Sequence, residues 1–410
     1  MNRVKEALNP IPLFGKRNNI SVIPSWKTEK VYFDGGSYFD DLLKAIEGAK
    51  HHVDIETYIF EPGKLADRMV KALVRAVRRG VKVRVLADGV GSQDFSDHYG
   101  PKLKRAGVSY KVYRSWPVFL SNSMPPFLKG HWLSGIRRVH LLFNRGKHRN
   151  HRKLYMVDGV RIWMGSFNIS DWHVRAYRKD RTWRDTGIKL SGVKTLVFLE
   201  AFEIAWNDPW PRLYQSKYRK MLKLWAVHDA ALSPVRLTFT RRLRVAYRKE
   251  LLKWFREAQK RIWVTTPYFV PNRALLMALA NAGRRGCDVR IIIPGLSDVP
   301  VVRWVSMVFY SDLLRAGCRL YEYQKSVLHA KTLIVDSGML VGSSNLDYRS
   351  LRKDLEINVV PQDRKTKKAL EEQCVRDMAE SKEIFLADVT QRSWWLRFLG
   401  WVFYRFRFWF

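Results

Sequence analysis

HVDIETYIFEPGKLADRMVKALVRAVRRGVKVRVLAD, residues 52–88, holds in miniature the organisation of the whole chain. Its first nine residues are rich in β-branched and aromatic side chains and read as a buried strand. Met69, Leu73 and Val77 then recur at helical spacing between Leu65 and Arg79, Gly80 stops the helix, and VKVRVLAD (81–88) alternates as a second strand. The order returns in the second half of the chain. IWVTTPYFV (262–270) is followed by a helix with Leu275, Leu276, Leu279 and Ala282, a stop at Gly286, and CDVRIIIP (287–294). Both helices end in the same tripeptide, Arg78-Arg79-Gly80 and Arg284-Arg285-Gly286. Strand, helix, strand implies a crossover connection and parallel pairing. Two copies predict an α/β protein of two pseudo-twofold-related halves, each a mixed, mostly parallel sheet flanked by helices.

Composition agrees with two such bodies and narrows the partner. The chain has 410 residues, 47% of them hydrophobic, which excludes a disordered or collagen-like polymer. Lys and Arg number 74 against 38 acids, a formal charge of +36. That balance calls for nucleic acid, an anionic membrane surface or a phosphorylated substrate. The three cysteines, Cys287, Cys318 and Cys374, are far apart and form no CxxC pair, so neither a disulfide framework nor a zinc site is expected. MNRVKEALNPIPLFGKRNN (1–19) lacks the apolar core of a signal peptide, and no run of eighteen apolar residues occurs. The expected location is the cytoplasm or the cytoplasmic face of the cell membrane, bound peripherally. The expected organisation is an N-terminal extension (1–30), a first half (31–208), a basic connector (209–249), a second half (250–385) and a C-terminal tail (386–410). The connector holds eleven Lys or Arg and one acid, Asp229.

Each half contains H-x-K-x-x-x-x-D: His151, Lys153 and Asp158 in HRKLYMVD, and His329, Lys331 and Asp336 in HAKTLIVD. Gly-Ser-x-Asn follows each, as Gly165-Ser166-Phe167-Asn168 and Gly342-Ser343-Ser344-Asn345. One copy carries little weight; two, each after a matching βαβ unit, carry much. The residues after each His are β-prone, and positions i and i+2 of a strand share a face, which aims His151 with Lys153 and His329 with Lys331 at a common point. Asp158 and Asp336 complete the candidate catalytic motifs. Their odd offset of seven favours a structural part, ordering a turn or pairing with a basic neighbour, over a reactive one.

A lone His on an apolar strand is usually a core residue, but each of these sits beside a Lys that is costly to bury without an anion. Two His, two Lys and the candidate phosphate-binding Ser166, Asn168, Ser343 and Asn345 suit a phosphodiester. Imidazole can attack phosphorus, a second imidazole can protonate the leaving alkoxide, and ammonium and amide donors can stabilise the non-bridging oxygens. This chemistry calls for no metal and no cofactor.

The paired motif resembles the phospholipase D superfamily, and DGGSYFDDLLKAIEGAKHHVDIETYIF (34–60) resembles the bacterial cardiolipin synthases within it, the likeness running from about residue 30 to residue 385. The resemblance implies an active site at the interface of the halves and a covalent phosphohistidine intermediate. By that analogy His151 is the nucleophile and His329 the general acid and base, with the reverse still open. It also implies a carboxylate behind each imidazole, for which Asp185 in WRDTGIKL and Glu356 in KDLEINVV are the candidates; a strand-edge charge is the alternative for both. Gly-Ser-x-Asn stands in both halves where many relatives have Gly-Gly-x-Asn in one.

The first half is longer than the second by 28 residues between helix stop and motif, an insertion that includes the apolar, Pro-broken SWPVFLSNSMPPFLKGHWLSG (115–135). The stretch 98–157 has thirteen Lys or Arg and no acid. WWLRFLGWVFYRFRFWF (394–410) has ten aromatics interleaved with Arg397, Arg405 and Arg407. Aromatic rings with snorkelling arginines belong at an anionic phospholipid membrane. A lid over the protein's own core is the alternative for the insertion, and a clamp on the body or a dimer contact for the tail. The leading reading is a phosphatidyltransferase making cardiolipin from phosphatidylglycerol or a related phospholipid. A hydrolytic phospholipase D uses the same residues with water as acceptor. A nuclease of the superfamily would explain the charge but not the aromatic tail, so nucleic acid is the runner-up partner.

Overall fold

A computed structural model describes residues 25–114, 148–194, 196–207, 233–391 and 402–403. The apolar insertion expected near 115–135 lies outside the described residues, as do most of the connector and nearly all of the tail.

Seven strands build the first sheet: β1 (Thr28–Tyr32), β2 (His52–Thr57), β3 (Lys82–Asp88), β4 (Ser109–Tyr113), β5 (Leu154–Val157), β6 (Arg161–Gly165) and β7 (Gly187–Ser191), in the order β1-β7-β6-β5-β2-β3-β4. Eight build the second: β8 (Val235–Leu237), β9 (Arg261–Thr265), β10 (Asp288–Pro294), β11 (Arg319–Tyr323), β12 (Thr332–Val335), β13 (Gly338–Gly342), β14 (Ile357–Val359) and β15 (Ser381–Ile384), in the order β15-β11-β10-β9-β12-β13-β14-β8. The two orders superimpose: β2 to β7 match β9 to β14 one for one.

Parallel pairing is confined to β2-β3-β4 and to β9-β10-β11; the other neighbours are antiparallel. The sheets are therefore mixed, but parallel only where helices make the connections. Helices Lys64–Arg78 and Arg273–Arg284 provide the crossovers predicted from the repeat. After the motif the connections are tight turns at Asp158-Gly159 and Asp336-Ser337, which return the chain as a hairpin. Val235 to Leu237, in the stretch expected to be a connector, forms edge strand β8 against β14, and helix Arg241–Glu257 begins within the same stretch. Apolar alternation (Val235, Leu237) gives those basic residues a face to bury.

The cores follow from strand alternation. On β5, Tyr155 and Val157 face helices Gly35–Glu47 and Lys64–Arg78, whereas Leu154 and Met156 face the other half. On β12, Leu333 and Val335 face the helices of the second half, and Ile334 faces inward. A third core thus joins the sheets, with Leu154, Met164, Ile188, Trp263, Ile292, Ile334, Val341 and Ile357 meeting there. Helices Val197–Trp206 and Arg364–Ala379 close it through Phe198, Phe202, Leu370 and Met378. Of the tail, Phe403 packs on the second-half core with its ring 6.3 Å from Trp304, a contact of the clamp kind.

Candidate active site

Both His-x-Lys segments run extended just ahead of β5 and β12, outside their own ladders. Their backbone bonds go instead to the opposite half. His151 N donates to Leu355 O (3.1 Å) and Leu355 N to Arg149 O (2.9 Å); His329 N donates to Arg184 O (2.8 Å) and Arg184 N to Val327 O (2.9 Å). The residue after each bridging partner is a candidate carboxylate. Glu356 of the second half accepts from His151 Nδ1 at 3.1 Å, and Asp185 of the first half accepts from His329 Nδ1 at 2.7 Å. All four side chains are buried. A carboxylate on Nδ1 fixes that nitrogen as the N–H donor and leaves the Nε2 lone pair available, and neither Nε2 has a hydrogen-bond partner among the described residues.

The lysines are buried beside them. Lys153 Nζ donates to His151 O at 2.8 Å and Lys331 Nζ to His329 O at 2.6 Å, one bond each for groups that carry three N–H. Burial, then the neighbouring Lys331 ammonium, pushes Lys153 down to about 7. Burial lowers Lys331 to about 8 despite the carboxylates of Asp185 and Glu356. Burial and Lys331 take His329 down to about 4, and burial with Lys153 takes His151 well below the ordinary histidine value. Glu356 is pushed up to about 7 by burial. Burial would also raise Asp185, but the imidazoles of His329 and His173 outweigh it and hold the carboxyl well below the usual range. Neutral imidazoles and lysines short of counter-charge make a site that gains from an anion. Asn168 adds a buried amide Nδ2 with no partner, its Oδ1 being taken by Ile59 N (3.2 Å), and Asn345 has a buried, unpartnered Oδ1.

The Gly-Ser-x-Asn serines behave differently from the phosphate donors expected. Ser166 Oγ donates to Thr186 O (3.1 Å) and accepts from Thr186 N (3.0 Å). Ser343 Oγ donates to Glu356 and accepts from Ile357 N (3.0 Å). Both hydroxyls clamp the strands that carry the carboxylates. The glycines allow this: a Cβ on Gly165 would lie 2.4 Å from Thr186 O, and one on Gly342 would lie 2.3 Å from Ile357 O.

Asp158 and Asp336 do not join the site. Each lies at the far end of its strand, five residues past the lysine, roughly 16 Å along an extended chain at about 3.3 Å per residue. Asp158 accepts from the backbone N–H of Lys50, His51 and His52 at 3.2, 2.8 and 3.1 Å. Asp336 accepts from Gln259, Lys260 and Arg261 at 3.0, 2.9 and 3.0 Å. With φ of 53° and 50°, they turn the chain and tie that turn to the start of β2 or β9. This geometry agrees with the structural part, ordering a turn, that the odd offset favoured.

Several neighbours escaped sequence reasoning. Tyr58 lies with its ring 4.9 Å from His151 and 5.2 Å from the Lys153 ammonium; the ladders put Pro267 at the equivalent place of the second half, so the repeat carried no signal for it. Trp183 lies 5.5 Å from His329. Arg149, buried on Asp88 at 2.8 Å, and Asn150 N on the same carboxylate at 2.9 Å anchor the approach to His151. Arg184 is paired with buried Asp377 at 2.8 and 2.9 Å. His173 touches Asp185, and no spacing announced it.

With this geometry in view, the likenesses to known proteins fall into place. The family described as "Cardiolipin synthase, PLD-like domain" matches residues 42–181 and 251–378, one match on each half. The chain is 32% identical over 371 residues to a cardiolipin synthase of Oceanobacillus iheyensis, covering 90% of this chain and 72% of that protein. It is 30% identical over 388 residues to the major cardiolipin synthase of Bacillus subtilis, covering 93% and 75%. In fold it is similar to the phosphatidylserine synthase of Haemophilus influenzae, with a TM-score of 0.66 at 14% identity over 99% of this chain and 98% of that one. A family match across both repeats, and relatives aligned over nine-tenths of the chain, place this protein in the phospholipase D superfamily, among its cardiolipin synthase-like members.

Proposed function

We propose that this protein is a cardiolipin synthase that transfers a phosphatidyl group to the hydroxyl of phosphatidylglycerol through a covalent phosphohistidine, without a metal. The observation that carries the reading is the reciprocal arrangement of imidazoles and carboxylates: each half supplies a histidine whose Nδ1 is held by the other half, with its Nε2 unengaged. The names of the relatives supply the substrate class.

In the first step Nε2 of His151 attacks phosphorus of a phosphatidylglycerol. The bond to the glycerol oxygen breaks, and that oxygen takes a proton from Nε2 of His329. Before substrate binds, burial favours the neutral form of both imidazoles, which suits the nucleophile; the bound anion raises His329 enough to carry the proton. Lys153, Lys331 and the Asn168 amide neutralise the non-bridging oxygens as charge builds on them. In the second step the hydroxyl of another phosphatidylglycerol gives its proton to His329 and attacks phosphorus, and His151 departs. Water in that place would yield phosphatidic acid.

Attraction to an anionic membrane is supported by the charge of +36 and by the aromatic, arginine-bearing tail. No helix among the described residues is long and apolar enough to cross a membrane, and we place the protein peripherally, on the cytoplasmic face. The test is incubation of the purified protein with labelled phosphatidylglycerol in anionic vesicles, with and without EDTA. Cardiolipin plus glycerol, insensitive to EDTA, is expected. Phosphatidic acid as main product would make the protein a hydrolase, and DNA cleavage without lipid turnover would make it a nuclease.

A further inference from the structure

The two imidazoles are backed unequally. Glu356 is shared by His151 with the neutral hydroxyls of Ser343 and Ser350. Asp185 is shared by two histidines: Oδ1 takes His329 Nδ1 and Oδ2 takes His173 Nδ1, both at 2.7 Å. His173 is 1% exposed, and its ring is packed against Phe167, Trp183 and His329 at 5.8, 5.5 and 5.9 Å.

Its backbone is fixed as firmly as its ring. The preceding Asp171 carboxylate accepts from Lys64 N and Leu65 N at 3.1 and 2.8 Å, tying the segment to the start of helix Lys64–Arg78. Gly35, the first residue of helix Gly35–Glu47, packs so closely on the carbonyl of His173 that a Cβ would lie 2.1 Å from its oxygen. The corresponding segment of the second half, Asp347-Tyr348-Arg349-Ser350, places a serine hydroxyl on the carboxylate where the first half places an imidazole.

We propose that His173 is a positioning residue which, by holding the second oxygen of Asp185, aligns that carboxylate on His329 and fits His329 rather than His151 for proton transfer. This rests on the reaction proposed above. A carboxylate kept ionised stabilises a protonated imidazole, which an acid and base needs. A carboxyl that is readily neutralised gives less support to a phosphorylated imidazole, which leaves more easily in the second step. The carboxyls differ in that sense, Asp185 lying well below the usual range and Glu356 near 7. The other charges facing the pair are Lys331 and Asp298 toward His329, and Lys153 and Lys331 toward Asp185; none of them changes in the variants below.

The test compares His173→Phe, which keeps the ring packing but no N–H, with His173→Asn, whose amide can occupy the Nδ1 position. Without its second donor, buried Asp185 takes up a proton more readily. In the Phe variant the acid limb of the kcat profile should move up by at least about one pH unit, so that kcat falls about tenfold on that limb and much less at pH 8.5, with KM changed less than about twofold. The Asn variant should restore most of the wild-type profile. The downfield proton resonance of His329 Nδ1–H should shift in the Phe variant and not in the Asn variant, a readout independent of turnover. A Phe profile that overlays wild type, or equal losses in both variants at every pH, overturns the proposal. His329→Ala separates the two readings: an active His329→Ala enzyme removes the proposed reaction, and with it this inference. An inactive His329→Ala enzyme with an unshifted Phe profile removes the inference alone.

Discussion

Lys153 and Lys331 show most plainly how this site trades stability for function. Their ordinary value is about 10.4, and burial takes them to about 7 and 8. Between those values the unfolded chain binds more protons than the folded one, so their contribution to stability improves as pH rises through that window and is worst below it. Lys153→Met removes the penalty while keeping the volume. It should raise Tm more at pH 6.5 than at pH 10, while lowering kcat about 100-fold or more; a Tm that drops by several degrees at pH 6.5 would contradict this account. The same protons govern anion binding. Inorganic phosphate should raise Tm at pH 6 and lose that effect by pH 9, measured by thermal melting. The His and Lys pairs were legible in the sequence because each motif is local and occurs twice. His173 was not, because its meaning lies in a contact with Asp185 twelve residues away, and nothing in DWHV gives that distance.

The decisive elements are the short extended segments on which one half leans on the other. Residues 149–151 run beside Leu355, and residues 184–185 beside 327–329, so each imidazole is aligned by a strand from the opposite half. Helix Arg364–Ala379 braces one of these segments through Asp377, whose carboxylate takes both ends of the Arg184 guanidinium. Asp377→Ala strands that buried cation; it should cost about 3–5 kcal/mol and, by loosening the segment that carries Asp185, lower kcat more than it raises KM. Urea unfolding with steady-state kinetics checks both. Gly342→Ala forces β13 away from β14 and should cost about 1–3 kcal/mol while disturbing Glu356, whereas Gly338→Ala, where the nearest atom of a Cβ is 3.3 Å away, should cost less. The repeat and its helices could be read from hydrophobic periodicity. The antiparallel part of each sheet could not, because Asp158-Gly159 and Asp336-Ser337 reverse the chain through turn conformations that leave no period. The hydrogen bonds of the Gly-Ser-x-Asn serines were not legible for a related reason: spacing shows that a hydroxyl is near a candidate phosphate site, but not that a backbone amide donates to it.

At the scale of the molecule, the two halves share one core and each backs the other's motif histidine with a carboxylate, so they should not unfold separately. A single transition, coincident by near- and far-UV circular dichroism, is expected of the intact chain, and two resolved transitions would count against the shared core. The net charge of +36 should make binding to anionic vesicles fall steeply as salt is raised, with the part that survives high salt owed to aromatic insertion. The central claim is that a phosphatidyl group passes through His151 with His329 moving the proton. Its most direct measurement is rapid acid-free denaturation of the enzyme during turnover of phosphatidylglycerol labelled in the phosphatidyl phosphate, followed by peptide mass analysis. The account predicts a phosphatidyl adduct on the peptide containing His151, joined through an acid-labile P–N bond. The adduct should be absent from His151→Ala. A label on the His329 peptide instead, or full cardiolipin synthesis by His151→Ala, would contradict it.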